Sequence, residues 1–488
     1  MISSTVQCKQ RLFLCWLAVF ILSTLTRLSA QNLSNPVGMA LGAACVTSAE
    51  NVDAIGLNPA LLSPRTKQDS TTSLFFTLGA VGGILGESAL KLSDFSTYFR
   101  KVNNERRVLT DTEVRTFASL LDGSRLGGQV DATLIAAVLQ TNLGAFAFST
   151  SLHGQIGLQL PQGLAQILQG YDAAQRLRLE GTAGSAFGYG NIQLGYANHI
   201  VLPEMSDSSN TLAALRVGAT AQYLIGYAFE EITNAWLDLM PIPVTDFPTT
   251  TYNIRANLDY TLRSAGTTLL TNGRLPKEIS SIVNQSAGSG FGASIGAVAS
   301  LRLPGSKIAA WQIAFSLTDI GGITWNSARL ASVSFQDTIK SIIPLASDNS
   351  YLQRLRDTTN RSQTVTRSLP TRFHLGFAFD YGAYFGLPTP LILSFQYTQG
   401  LNTSGFNTTQ PRFGLGFAWE NKGWLPSLRT GITIGGQEEI LWSCGLGWNV
   451  ADGAFTIDAA LANLLPFLDG GKGTWLGGSL RLKGRIAW

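Results

Sequence analysis

The sequence predicts an all-β chain: a transmembrane antiparallel up-and-down β-barrel of about 14 strands, with 16 the next even number, and short helices in its loops. Three observations carry that reading. Segments of about ten residues alternate apolar with small or polar side chains, the period-2 signature of a strand and the length of a tilted spanning strand. Beyond the N-terminal region no apolar run approaches the 18 residues a spanning helix needs. Aromatic residues crowd the segment ends (Trp311, Tyr397, Trp419, Trp442, Trp448, Trp475), where a bilayer interface would hold them. Composition agrees. Only 14% of the 488 residues are charged, 51 are Gly, and 45% are apolar, with a mean hydropathy of +0.15. A bundle of spanning helices would be greasier, and a disordered chain would carry more charge and fewer aromatics. A net charge of +4 gives no reason to expect nucleic acid as a partner.

At the N-terminus Lys9 and Arg11 precede the apolar run Leu12–Leu25, and Leu28-Ser29-Ala30 ends in small residues before Gln31. This is the order of a secretory signal peptide over residues 1–30. Its removal takes away Lys9, Arg11 and Arg27 and leaves acidic and basic residues in near balance, so charge does not identify a partner. Residues 31–70 form an N-terminal segment ahead of the barrel, 71–488, which is expected in the outer membrane of a Gram-negative cell. Outer-membrane lipid and the barrel-assembly machinery are then its obligatory partners. Cys45 and Cys444 remain after cleavage, too few for a disulfide framework or a metal set.

Spanning candidates start near Thr72, Gln129, Leu143, Leu177, Asn191, Leu212, Thr250, Gly290, Ala309, Pro370, Leu391, Pro411, Ser427, Ile440, Phe455 and Thr474. The Leu177 and Asn191 candidates read as one strand bent through Gly188-Tyr189-Gly190. Ile254–Leu262 sets Ile254, Ala256, Leu258 and Tyr260 against Arg255, Asp259 and, one step further, Arg263. In Arg372–Tyr381, Phe373, Leu375, Phe377 and Phe379 oppose His374 and Asp380; in Pro411–Glu420, Phe413, Leu415, Phe417 and Trp419 oppose Arg412, Gly414 and Gly416. The last segment, Ser479–Trp488, opposes Leu480, Leu482 and Ile486 to Arg481, Lys483 and Arg485. Three cations on one face are costly beside lipid and tolerable in a watery lumen. Arg255, Asp259, Arg263, His374, Asp380, Arg481, Lys483 and Arg485 are therefore the candidate lumen-lining residues. Trp488, a terminal aromatic on an alternating strand, has the form of a signal for outer-membrane insertion.

Between strands, Asp111–Leu121, Pro161–Gln169 and Pro276–Asn284 carry apolar residues at helical spacing, with Asp111 placed to cap the first and Pro161 suited to a first turn. Residues 337–369 read as a long polar, partly helical insertion. Such insertions are functional or simply tolerated in barrel loops.

The segment Asn35-Pro36-Val37-Gly38-Met39-Ala40 continues through Asp53-Ala54 to Asn58-Pro59-Ala60, just ahead of the first strand. This resembles the start of the FadL-like outer-membrane barrels and their PorV-type relatives, in which such a segment is a hatch inside the barrel. The resemblance makes residues 31–70 a small N-terminal hatch, with Asp53, Asn58, Pro59 and Ala60 as hatch residues. Asp319-Ile320-Gly321-Gly322-Ile323-Thr324-Trp325, Leu369-Pro370-Thr371-Arg372-Phe373-His374 and Leu160-Pro161 resemble an uncharacterised barrel family in that clan. It implies about 14 strands around a plugged lumen and names no substrate.

Catalytic motifs are missing. His153, His199 and His374 form no His-x-x-His, Gly-x-Ser-x-Gly occurs only as Gly292-Ala293-Ser294-Ile295-Gly296 inside an alternating segment rather than at a strand-to-helix elbow, and His374 and Asp380 lie roughly 20 Å apart along one strand. Gly288-Ser289-Gly290-Phe291-Gly292 leads into alternating residues rather than a helix, so it is no dinucleotide loop. A serine hydrolase built on His153 or His199 has no motif behind it. The expectation is a non-enzyme without cofactor or metal. It would be a passive transporter or binder of hydrophobic small molecules, as FadL-like barrels imply; the alternative is an accessory barrel serving secretion-system or surface proteins, as PorV-type relatives imply.

Overall fold

A computed structural model describes residues 33–487, apart from 65–71, 100, 103–104, 107–108, 169–174, 201–211, 247–248, 267–285, 303–308, 340–360, 405–406, 422–423, 437–439, 451–453 and 469–473. The expected signal segment, Trp488, the helix expected over Pro276–Asn284 and the middle of the expected insertion lie outside the described residues.

Sixteen strands form one closed antiparallel sheet. In chain order they are β1 (Ser73–Glu87), β2 (Arg125–Thr141), β3 (Gly144–Gln159), β4 (Leu177–Ile200), β5 (Leu212–Asp246), β6 (Thr249–Gly266), β7 (Gly288–Leu301) and β8 (Trp311–Ile339). There follow β9 (Arg361–Ser368), β10 (Arg372–Asp380), β11 (Leu391–Gly400), β12 (Arg412–Trp419), β13 (Ser427–Gly435), β14 (Ile440–Val450), β15 (Phe455–Ala462) and β16 (Thr474–Ala487). The ring shuts where β1 meets β16, from Ser73 opposite Ala487 to Glu87 opposite Thr474. Those pairs define a terminal rim, where the chain enters and leaves the barrel, and a far rim.

Sixteen strands fill fourteen positions. Strands β6 and β7 lie end to end between β5 and β8: Leu212–Gly226 of β5 pair with β7, and Ala228–Asp246 with β6. On the other side of β8, β9 and β10 likewise share one position, joined through Leu369-Pro370-Thr371. Pro370 cannot donate to a ladder, and it breaks one long strand into two. Beyond the ring, β5, β6 and the end of β8 continue as a three-stranded tongue at the far rim. The expected bent strand is real: β4 runs unbroken from Leu177 to Ile200 with a register shift at Gly188/Tyr189. The expected polar insertion is shorter than read. Its first residues, 337–339, belong to β8, and Arg361–Ser368 form β9. β9 is polar because its outward face lies beyond the apolar belt, so its alternation carries no apolar signal.

The faces are inverted relative to a soluble sandwich. Leu415, Leu446 and Leu480 are 48%, 52% and 54% exposed, while their strand neighbours Ala418, Ser443 and Arg481 are buried. Exposed apolar area costs roughly 25 cal/mol per Å² in water, so a belt of such residues on every strand belongs against lipid. Closure pairs every strand with two neighbours except β9, which pairs with β8 alone among the described residues; two-sided pairing is the condition for strands to cross hydrocarbon.

The loops at the far rim carry helices. α-Helix Asp111–Leu121 has the expected bounds, but Thr110 rather than Asp111 caps it: Thr110 Oγ1 accepts from Glu113 N, and the Glu113 carboxylate accepts from Thr110 N at 2.9 Å. A hydroxyl one residue earlier reaches the third amide of the first turn and closes a capping box. Helix Leu164–Leu168 replaces the longer Pro161–Gln169 candidate among the described residues and buries Leu164 against Leu158 and Leu160.

The two cysteines test the facing. Cys444 lies between Trp442 and Leu446 on the outward face and lines a lipid-side groove of about 600 Å³ with Val81, Val130 and Leu480. Cys45 is buried inside the barrel, and burial, with Asp53 nearby, pushes its thiol up to about 12. A membrane-permeant apolar maleimide should therefore modify Cys444 in intact membranes, and a bulky charged one should not; Cys45 should react only after unfolding. Mass spectrometry reads the adducts, and fast reaction of Cys444 with the charged reagent would contradict the register.

Candidate functional site: the hatch and the lumen

The chain from Leu33 to Pro64 lies inside the ring. It folds through two Asn-Pro turns that work alike. Asn35 Oδ1 accepts from Gly38 N (3.2 Å) at the start of the short helix Pro36–Ala40, and Asn58 Oδ1 accepts from Ala60 N (3.1 Å) at the 3₁₀ turn Pro59–Leu62. Asparagine caps the turn and proline takes the first position, where no amide is required. The other ends of the same side chains hold the turns together: Asn35 Nδ2 donates to Asp53 O and Asn58 Nδ2 to Val46 O.

A segment with so little regular structure leaves peptide groups to satisfy, and the inward side chains satisfy them. Gln396 Oε1 accepts from Cys45 N and Val46 N at 2.9 and 2.8 Å. Asp131 Oδ2 accepts from Leu33 N, while Thr433, Ser316, Gln140 and Arg216 donate to the carbonyls of Gly42, Leu57, Leu62 and Ser63. These partners come from five strands spread around the ring, so the segment is held from several sides of the lumen. Where it comes closest, the wall has no side chain. A Cβ on Gly218 would lie 2.5 Å from the Pro59 backbone, and one on Gly296 would strike the Asn58 carboxamide.

An ion cluster ties the segment to β13, β15 and β16. Asp53 pairs with Arg481 and, at 3.3 Å, with Lys483. Asp458 receives Arg481 (2.9 Å), Lys483 (3.2 Å) and Arg429 (2.8 Å), and Arg429 also meets Glu420 at 2.6 Å. Asp458, Arg481 and Arg429 are buried. Each buried charge faces opposite charges, the condition under which such a cluster is tolerated.

Above the segment, toward the far rim, lies a polar cavity of about 60 Å³ floored by Ile55 and Gly56 and walled by Asp131, Ser151, His153, Asn191, Asp319 and Arg372. His153 Nδ1 lies 2.9 Å from Asp131 Oδ1, and His153 Nε2 lies 2.8 Å from Ser151 Oγ. Tyr189 stacks on His153 at 4.8 Å and reaches Phe187, part of an inward apolar cluster with Leu224, Phe229, Ile323, Trp325 and Val365. A second lumenal cavity, about 270 Å³, is lined by Phe187, Phe229, Ile232 and the Glu231–Arg367 pair.

Asp53, Asn58, Pro59 and Ala60 thus lie in the lumen, and Arg481 and Lys483 face Asp53. His374 is inward and buried, between Thr318, Thr398 and Gln396. The remaining candidates do not join them. Asp380 caps the turn helix Tyr381–Phe385 through Ala383 N at the terminal rim. Arg485 is exposed at that rim, over the Phe75 ring at 5.3 Å. Arg255 and Asp259 stand on the tongue, and Arg263, at its base, meets Glu231 at 3.4 Å. Alternation assigns a face to a side chain but no height along the axis, so rim and tongue residues share the pattern of lumenal ones. Sequence reasoning missed Asp458, Arg429, Asp131 and Ser151; the inward register of β15, with Ile457 exposed and Asp458 buried, was the available signal.

The Asp319-Ile320-Gly321 motif is a β-bulge. Asp319 has φ 57° and Gly321 φ 146°, with a register shift between Leu317 and Ile320. The backbone at Gly321 presses on Phe291 O, where no side chain fits, and the bulge aims Asp319 into the polar cavity and Trp325 into the apolar cluster.

A family model described as "Family of unknown function (DUF5723)" matches residues 66–445, well over half of the chain. The chain belongs to that family. Solved structures similar to this DUF5723 member include a FadL homologue from Pseudomonas aeruginosa (10% identity, 95% of this chain and 100% of that chain, TM-score 0.46). Others are the toluene transporter TodX of P. putida (8%, 95% and 99%, 0.43) and the translocator domain of the autotransporter NalP from Neisseria meningitidis (8%, 86% and 90%, 0.31). No sequence among curated proteins matches it.

The ion cluster sets the expected stability effects. Arg481→Met leaves Asp53 with Lys483 alone and Asp458 with Lys483 and Arg429, so the loss should fall below the about 3–5 kcal/mol that breaking an isolated buried pair costs. Urea unfolding of the detergent-folded barrel should register that loss, and adding Asp458→Asn to Arg481→Met should recover part of it. Equal stability of wild type and Arg481→Met would mean the cluster is not formed.

Proposed function

We propose that this barrel resides in the outer membrane after removal of its signal peptide and passively admits hydrophobic or weakly amphipathic small molecules, with residues 31–70 as the hatch. The observation that carries the reading is the 270 Å³ lumenal cavity: Phe187, Phe229 and Ile232 offer an apolar wall, and Glu231, Arg367, Ser185 and Thr233 a polar one beside it. An apolar wall beside a polar one suits a weakly amphipathic small molecule, whose two ends need both features. The terminal rim, with turns as short as Asn142-Leu143, faces the periplasm in this reading, and the longer connections face outward. A solute resting at the apolar cluster is separated from the periplasm by the hatch, so passage requires the hatch to shift or a path around it.

One feature favours the accessory role. The tongue of β5, β6 and β8 rises past the ring and presents a surface that transport does not require. Uptake separates the readings. A deletion strain should lose uptake of some members of a panel of hydrophobic carbon sources, and wild-type protein should restore it. Removing Gln31–Leu57 should leave a heat-modifiable barrel, because closure and the lipid-facing belt hold the ring. That barrel should either leak small hydrophilic solutes or lose uptake of the hydrophobic ones. Unchanged permeability and uptake, with loss of a secreted or surface protein, would put the accessory role in first place.

A further inference from the structure

We propose that Ser151, His153 and Asp131 form a hydrolytic site in the lumen that cleaves carboxylic esters, with Ser151 as nucleophile. The arrangement has the linkage such chemistry requires. Asp131 is 1% exposed and takes Leu33 N and Gln129 Nε2 on one oxygen, leaving the other for His153 Nδ1 at 2.9 Å. A carboxylate so held fixes the imidazole with its proton on Nδ1, and Nε2 is then free to accept from Ser151 Oγ at 2.8 Å. Strand geometry makes the alignment stiff. Ser151 and His153 are two residues apart on β3 and share its inward face, and Asp131 is the direct ladder partner of His153 on β2. Stacking of Tyr189 on the ring holds it from the β4 side.

Two more features fit a reaction centre. Asn191 is the ladder partner of Ser151 on β4, buried and lining the same cavity, with its Oδ1 unpartnered. Its carboxamide is placed to donate to an oxyanion formed at a carbonyl attacked by Ser151. Tyr189 connects the cavity to the apolar cluster through Phe187, which gives the hydrocarbon part of an ester somewhere to lie. The polar cavity itself has room for little beyond a carbonyl group and a water, so the substrate class is a slender aliphatic ester.

In the first half-reaction Ser151 Oγ bonds to the carbonyl carbon as its proton passes to His153 Nε2. Collapse of the tetrahedral intermediate breaks the ester C–O bond, and the leaving alkoxide takes that proton and departs as alcohol. Water then attacks the acyl-Ser151, gives a proton to His153, and releases the carboxylic acid with Ser151 regenerated. Ester and water become acid and alcohol, with no other reactant. This activity departs from the non-enzyme expectation and does not rest on the transport reading, since it needs no passage across a membrane.

The test uses purified, detergent-folded, heat-modifiable full-length barrel with p-nitrophenyl butyrate and a fluorophosphonate probe. Wild type should turn over the ester and carry the phosphonate on Ser151, located by peptide mass spectrometry. Ser151→Ala should lose the adduct and the turnover. Asp131→Asn should lower turnover by roughly 10³–10⁴-fold, and Asn191→Ala by roughly 10²–10³-fold. Ser394→Ala, an inward serine on the opposite wall, should match wild type. If Ser151→Ala fails to assemble, the adduct on wild type decides. Folded wild type that neither hydrolyses the ester nor is phosphonylated at Ser151, or Ser151→Ala with full turnover, overturns the proposal.

Discussion

Hydrocarbon offers no hydrogen bonds, and the rest of this molecule follows from that. Every peptide group in the belt must pair with a neighbouring strand, and an open sheet would leave two unpaired edges, so β1 is obliged to find β16. Closure then divides the side chains by parity. One set meets lipid and is apolar; the other is enclosed and meets water, the hatch or itself. Polar residues that would be expensive in a soluble core are cheap on the enclosed face, and that is where Gln396, Asp458, Arg481 and His374 are found.

The enclosed face in turn makes the hatch possible. A chain of some thirty residues with only short helical turns could not stay folded alone, because it buries too little and leaves too many peptide groups open. Inside the ring its amides and carbonyls meet Gln396, Asp131, Thr433, Ser316, Gln140 and Arg216, and Asp53 meets two cations. The cost of ordering the hatch is offset by groups the barrel already had to place inward. Removal of one charge from the Asp53–Arg481–Asp458 cluster affects hatch and wall together, because the same guanidinium serves both.

Toward the far rim the lumen changes character. The bulge at Asp319 and the break at Pro370 let β8 and its neighbours turn polar groups into one cavity and aromatic groups into the next. That juxtaposition sets Tyr189, Phe187 and Trp325 beside Asp131, His153 and Ser151, an apolar surface next to a polar one.

How much of this was legible in the chain follows from range. Alternation is local, so Phe413, Leu415 and Phe417 against Arg412, Gly414 and Gly416 declare a strand and its two faces without help from any partner. The Asn-Pro turns of the hatch are equally local, since Asn58 caps an amide two residues away. The polar strand Arg361–Ser368 was not legible, because beyond the lipid belt no alternation is imposed. The site was legible only in part. Parity put Arg481 and Lys483 on the inward face, but it put Arg255, Asp380 and Arg485 there as well, and they end on the tongue or at the terminal rim. Height along the axis depends on the stagger between strands, which appears only when the ring closes. The same stagger brings Asp458 to Arg481 and Asp131 to His153, residues 23 and 22 positions apart in the chain. Sequence by itself therefore determined the strands, their lipid face and the turns of the hatch, all set by neighbours in the chain. Only the tertiary structure decided which inward residues meet, because ladder register across a closed barrel is a property of the whole ring.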